Sequence, residues 1–218
     1  MLALYLTYSR SSLLGLLVGI VVIGLLRYRR WLLYGALGLV MLLFLPPAQT
    51  YVAHLVEGLM LQDRATLMRL GEYKDALALI SRYPWFGVGF GGSPDADLYV
   101  GVSSLYLLMA EIMGVIGVAA FLGVMVGFFI SLWRAWRRRP GPRLEAVLMG
   151  VGAAVAGVLV SGILDHYLFN LVYPHMSVML WTFVGLGMAA ALLAQGRTTN
   201  DEGRTGTLHA PHSTRHTS

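Results

Sequence analysis

The chain has 218 residues, of which 57% are hydrophobic and only 12% charged, against roughly 45–50% and 25% in soluble domains, so lipid rather than water is its main solvent. Its formal charge of +5 sits mainly in short links between apolar runs, which reads as membrane topology and not as a nucleic-acid surface. The absence of cysteine excludes disulfides, thiolate metal sites and cysteine nucleophiles.

In chain order, apolar stretches long enough to approach or exceed a bilayer crossing predict an all-α integral membrane protein with about five transmembrane helices, over residues 1–26, 31–48, 103–133, 144–164 and 174–194. Arg27, Arg29 and Arg30 follow the first span, and Arg134, Arg137, Arg138, Arg139 and Arg143 fill the link after the third. Both links are therefore expected in the cytoplasm. The large loop, residues 49–102, then lies outside, with four basic residues against six acidic ones. The membrane domain ends near residue 195, and the polar tail 196–218 is expected to be disordered and cytoplasmic. Its His209, His212 and His216 have no scaffold to fix a metal geometry. With Met1 almost directly against an outward-starting first span, the chain reads as part of a longer membrane protein with upstream helices.

The outer loop divides into three pieces. Gln49 to Met60 is predicted to continue as a helix after Pro46-Pro47. Ala65 to Tyr83 carries Leu67, Leu70, Leu77 and Ile80 at helical spacing with charges between, the pattern of an amphipathic surface helix with those residues against the membrane or the bundle. The segment Tyr83-Pro84-Trp85-Phe86-Gly87-Val88-Gly89-Phe90-Gly91-Gly92 then breaks that helix in a turn-rich aromatic hook. Inside the spans, Gly15 with Gly19 and Gly123 with Gly127 have the spacing that lets helices approach closely.

Polar groups near a membrane are costly, so each prompts a functional question. Arg10 lies among Thr7, Ser9, Ser11 and Ser12 at the outer mouth of the first span; Arg64 and Arg69 begin the surface helix; Glu111 lies about two turns into the third span; Asp165, His166 and Asn170 occupy the outer link between the fourth and fifth. All fall on one side under the charge-derived topology. Arginines there can grip a phosphate or diphosphate through bidentate, charge-assisted hydrogen bonds. Glu111 reads as a structural polar group awaiting a counter-charge, and Asp165 with His166 as the candidate catalytic pair. His54 is a weaker candidate.

Three motifs in order carry a resemblance. Leu6-Thr7-Tyr8-Ser9-Arg10-Ser11-Ser12 resembles the Thr-x-Ser-Arg motif of the O-antigen ligase and polymerase family. Arg69-Leu70-Gly71-Glu72-Tyr73, followed by Tyr83-Pro84-Trp85-Phe86-Gly87-Val88-Gly89, is similar to that family's Arg-Leu-x-x-Trp helix and Pro-x-x-Gly-x-Gly turn. Ser104-Leu105-Tyr106-Leu107 through Ala110-Glu111-Ile112-Met113-Gly114 resembles the start of its next helix. The likeness spans roughly Leu4 to Leu186, the carboxy-terminal half of a typical member.

The resemblance implies action on a lipid-linked oligosaccharide, a glycan carried by undecaprenyl diphosphate at the outer face of the bacterial cytoplasmic membrane. The glycan would pass to lipid A-core sugar in a ligase, building lipopolysaccharide, or to another repeat unit in a polymerase. It implies a diphosphate-binding role for Arg10 and Arg69, with Arg64 beside them, and a base for inverting transfer without metal or other cofactor. Two positions depart from the ligase pattern. Ser103-Ser104 stand where ligases commonly have His-Asn, and Tyr73 replaces a tryptophan, which favours a polymerase-like or divergent exopolysaccharide member. The expected partners are the lipid-linked oligosaccharide and membrane lipids, with no nucleic acid. Rival readings are half of a transporter or flippase, or a non-catalytic membrane subunit that binds a partner through the outer loop.

Overall fold

The protein is an all-α integral membrane protein, seen here as a computed structural model. The structure describes residues 10–44, 64–91, 101–169 and 175–208. Among them are six α-helices: α1 (Arg10–Arg27), α2 (Arg29–Leu43), α3 (Arg64–Arg82), α4 (Leu105–Arg137), α5 (Pro142–Ser161) and α6 (His175–Leu208), with a single 3₁₀ turn at Tyr167–Phe169. Three stretches, Leu105–Arg137, Pro142–Ser161 and His175–Gly196, are long and apolar enough to cross a membrane, and Ser11–Arg27 is a shorter apolar helix. The expected helix of Gln49 to Met60, His54, Asn170 and the tail histidines lie outside the described residues, as do the side chains of Arg10 and Arg64.

The bundle is assembled by small residues. A Cβ on Gly157 would sit inside the backbone of Gly15, and one on Gly15 would meet the Gly157 carbonyl at 2.9 Å; one turn on, Gly19 faces the Ala153 carbonyl. Two glycines and an alanine thus bring α1 and α5 into backbone contact, as small-residue spacing in lipid does. The pair runs antiparallel. Ser161 Oγ donates to the Ser11 carbonyl (2.9 Å) at one end, and Arg27 lies 3.8 Å from Glu145 at the other. Gly123 and Gly127 have the same spacing, yet a Cβ on either would meet nothing within 4 Å among the described residues.

Helices α4, α5 and α6 share an apolar core built from Met125, Phe128, Leu132, Val151, Val155 and Leu180. Gly187 admits the Phe128 ring. The outward faces are as apolar as the inward ones, with Val124, Val126, Ile130, Val178 and Leu192 exposed, as lipid-facing helices require. One end of the bundle carries Arg27, Arg29 and Arg30 together with the α4–α5 link, where the Arg137 guanidinium lies 5.7 Å from the Trp133 ring centroid. The other end carries the polar groups described below.

The last helix runs on through the polar stretch to Leu208, where composition had pointed to disorder from residue 196. Extending a helix that is already nucleated fixes one residue per new hydrogen bond, far less costly than starting one.

Candidate functional site

The site begins with α3, which matches the expected surface helix to within a residue at each end. Ala76 and Leu79 are fully buried, and Ala76 packs, with Tyr73, against Val102, Leu108 and Ile112. Leu77 is 58% exposed and Leu70 36%, while Met68 on the outer side is 70% exposed. The small Ala76 lets α3 lie close to the start of α4, while Leu70 and Leu77 are left exposed, as the expected contact with the membrane requires.

What holds α3 down is the hook. Helix α4 is broken at Gly114, whose φ of 68° and ψ of −174° lie in a region open essentially to glycine alone. The break leaves the carbonyls of Glu111 and Ile112 without their usual helical donors, and the hook supplies them. Val88 N–H donates to the Glu111 carbonyl (2.7 Å), Gly89 N–H to that of Ile112 (2.9 Å), and Val115 N–H to the Pro84 carbonyl (2.8 Å). Contact is so close that a Cβ on Gly87 would enter the backbone of Glu111 and Ile112, and one on Gly114 that of Trp85. Trp85, Phe86 and Phe90 are left more than 60% exposed, amphipathic anchors suited to the headgroup layer.

With α3 seated, Glu72 reaches the segment before α4. Its Oε2 accepts from both the Ser103 N–H (3.1 Å) and the Ser103 hydroxyl (2.7 Å). Arg69 is exposed one turn earlier, at the spacing that places it on the same helix face. Behind Glu72 lies Glu111, 1% exposed, close enough to Asp75 and Glu72 to interact with both through charge. Neither of its carboxyl oxygens makes a hydrogen bond of good geometry among the described residues, although the Gly101 backbone N–H is close enough to interact with it. The arginine counter-charge expected for Glu111 is not among them; its nearest charged neighbours are acidic.

The link after α5 ties this region to α1. Leu105 N–H, the first of α4, donates to the carbonyls of both Gly162 (2.8 Å) and Asp165 (3.1 Å), which satisfies one orphan donor of the helix start. The Asp165 carboxylate accepts from the Ser11 hydroxyl (3.0 Å) and from the Tyr167 N–H (3.3 Å). His166 stacks on Tyr167 at 5.9 Å, with a buried Nδ1 that has no partner among the described residues. A continuous polar seam results: Ser11 beside Arg10, then Asp165, the start of α4, Ser103, and Glu72 on the helix of Arg69. Below its Ser11 end, a groove of about 480 Å³ descends between α1 and α5, apolar along Gly15, Leu16, Ile20 and Val158.

Sequence reasoning singled out Asp165, His166, Arg69 and Glu111 but passed over Glu72 and the break at Gly114. Glu72 was one more charge on an amphipathic helix, and only its pairing with Ser103, 31 positions on, sets it apart. No curated protein sequence matches the chain. A family model described as O-antigen ligase does match it, over residues 1–122, which takes in α1, α3, the hook and α4 past its break but stops short of the expected Leu186. The match takes in the Ser11, Glu72 and Ser103 parts of the seam, though not Asp165, and it covers more than half of the chain, which therefore belongs to the O-antigen ligase family.

Proposed function

We propose that the protein transfers or polymerises an oligosaccharide carried on undecaprenyl diphosphate, at the outer face of the bacterial cytoplasmic membrane, in cell-surface polysaccharide synthesis. The observation that carries this reading is the polar seam, which joins the start of α1, the Arg69 face of α3 and the start of α4 at the bundle end opposite the arginine-rich links. In this reading Arg10 and Arg69 grip one diphosphate, with Arg64 beside them, because a planar guanidinium pairs with two phosphate oxygens at once. The arginine-rich links face the cytoplasm, so the seam faces outward. Asp165 serves by holding Ser11 and with it the first turn of α1, and His166 is an alternative proton acceptor on that link.

Catalysis then consists of aligning the acceptor hydroxyl with the anomeric carbon while the diphosphate leaves, its growing charge met by the arginines. The polar side chains assembled here cluster at one end of the bundle, where a transporter would carry them at mid-depth. The test is complementation of a deletion strain. Wild type restores the surface glycan, and Arg10→Lys and Arg69→Lys each lower it at least tenfold, since lysine keeps the charge and loses the fork. Normal glycan assembly by the double Arg→Lys variant would remove the shared diphosphate grip.

A further inference from the structure

We infer that Glu72 is the proton acceptor for the incoming sugar hydroxyl, with Ser103 as the group that aims it. The inference rests on the glycosyl-transfer reading above. Displacement at the anomeric carbon needs a base within hydrogen-bond reach of the attacking hydroxyl, across that carbon from the arginines that hold the leaving group yet within roughly 10 Å of them. Glu72 is three positions after Arg69 on one helix face, roughly 5–6 Å away at Cβ.

The other carboxylates among the described residues at this end are less suited. Asp165 has one oxygen on Ser11 and the other on the Tyr167 amide. Glu111 is sealed from any substrate at 1% exposure. Asp75 stands almost a further turn from Arg69. Glu72 is only half-buried, and both Ser103 bonds fall on Oε2, which fixes the carboxylate while Oε1 has no partner among the described residues.

Among the described residues, Glu111 from α4 interacts through charge with Glu72 and Asp75, and Arg69 stands one turn before Glu72 on its own helix. Buried at 1% exposure, Glu111 adds a second carboxyl to the base's side of the site, and its helix is fixed by the hook. In the step itself, the acceptor O–H proton passes to Glu72 Oε1 as the hydroxyl oxygen bonds to the anomeric carbon. The bond from that carbon to the diphosphate oxygen breaks, and its electron pair leaves with the diphosphate, which stays on the polyprenol. The proton on Glu72 is then released to water.

The experiment compares Glu72→Gln with Glu72→Asp in the full chain, reconstituted with lipid-linked oligosaccharide extracted from the deletion strain, and measures turnover alongside binding of undecaprenyl diphosphate. Glutamine keeps the length and still accepts both Ser103 bonds, so a purely positioning role predicts that it outperforms the shorter aspartate. A proton acceptor predicts the reverse order. Expected is a loss of about 100-fold or more in turnover for Glu72→Gln, in the range of general-base contributions, with Glu72→Asp at least tenfold faster than Glu72→Gln and diphosphate binding within about twofold of wild type in both. Turnover of Glu72→Gln equal to or above that of Glu72→Asp overturns the inference and leaves the transfer reading standing. Absence of undecaprenyl diphosphate binding by wild type overturns both.

Discussion

Glycine brings two backbones together at two places in this molecule, and the results differ. Between α1 and α5, Gly15 and Gly157 remove side chains so that two intact helices touch; every helical hydrogen bond stays in place, and the gain is van der Waals contact. At the hook, Gly87 and Gly114 both have positive φ, the α4 ladder is interrupted, and its loose carbonyls are satisfied by another segment. The first is packing that any membrane bundle can use. The second is a receptacle that fixes one particular helix, α3, in one register over the start of α4.

The comparison can be broken most severely at Gly114. Gly114→Ala combines a backbone region nearly closed to L side chains, at about 1–3 kcal/mol, with a Cβ that would enter the Trp85 backbone. It should release the hook, lower the thermal stability of the purified protein in detergent by several degrees or more, and abolish complementation. Gly123→Ala, on the same helix with open space around it, should leave stability unchanged or slightly raised. Equal behaviour of the two would mean that the hook is not locked into α4.

A smaller effect sharpens the same contrast on α3. Leu79→Asp places a charge at a fully buried position and should cost several kcal/mol or detach the helix, read as new protease cleavage around α3. Leu77→Asp, at a position 58% exposed, should change stability by less than about 1 kcal/mol while weakening contact with lipid. If Leu77→Asp proved the more damaging, α3 would pack on the bundle through Leu77 and not through Ala76 and Leu79.

Much of the fold was legible because hydrocarbon demands long apolar helices and leaves their signature in composition. The α3 helix and the turn-forming hook were also legible, from spacing and from Pro84 with its glycines. Periodicity on α3 weighs the large leucines and passes over Ala76, which close approach to α4 selects. Gly114 gave no signal, since glycine is common in membrane helices, and its partner is backbone, which no side-chain pattern encodes. The clasp of Asp165 on Ser11 spans 154 positions, so a solvated turn was as good a reading of the local sequence. The arginines were legible as chemistry, while the Glu72–Ser103 pair needed the hook's long-range placement of α3.

The central claim is that the seam and the arginine-rich links lie on opposite sides of the membrane, with the seam outside. Because the chain has no native cysteine, single cysteines report sidedness directly. Lys74→Cys on the exposed face of α3 and Arg138→Cys at the end of α4 can each be treated with a membrane-impermeant maleimide in intact cells whose outer barrier is permeabilised. The account predicts labelling at position 74 before lysis and at position 138 only after it; labelling of position 138 but not 74 in intact cells would contradict it.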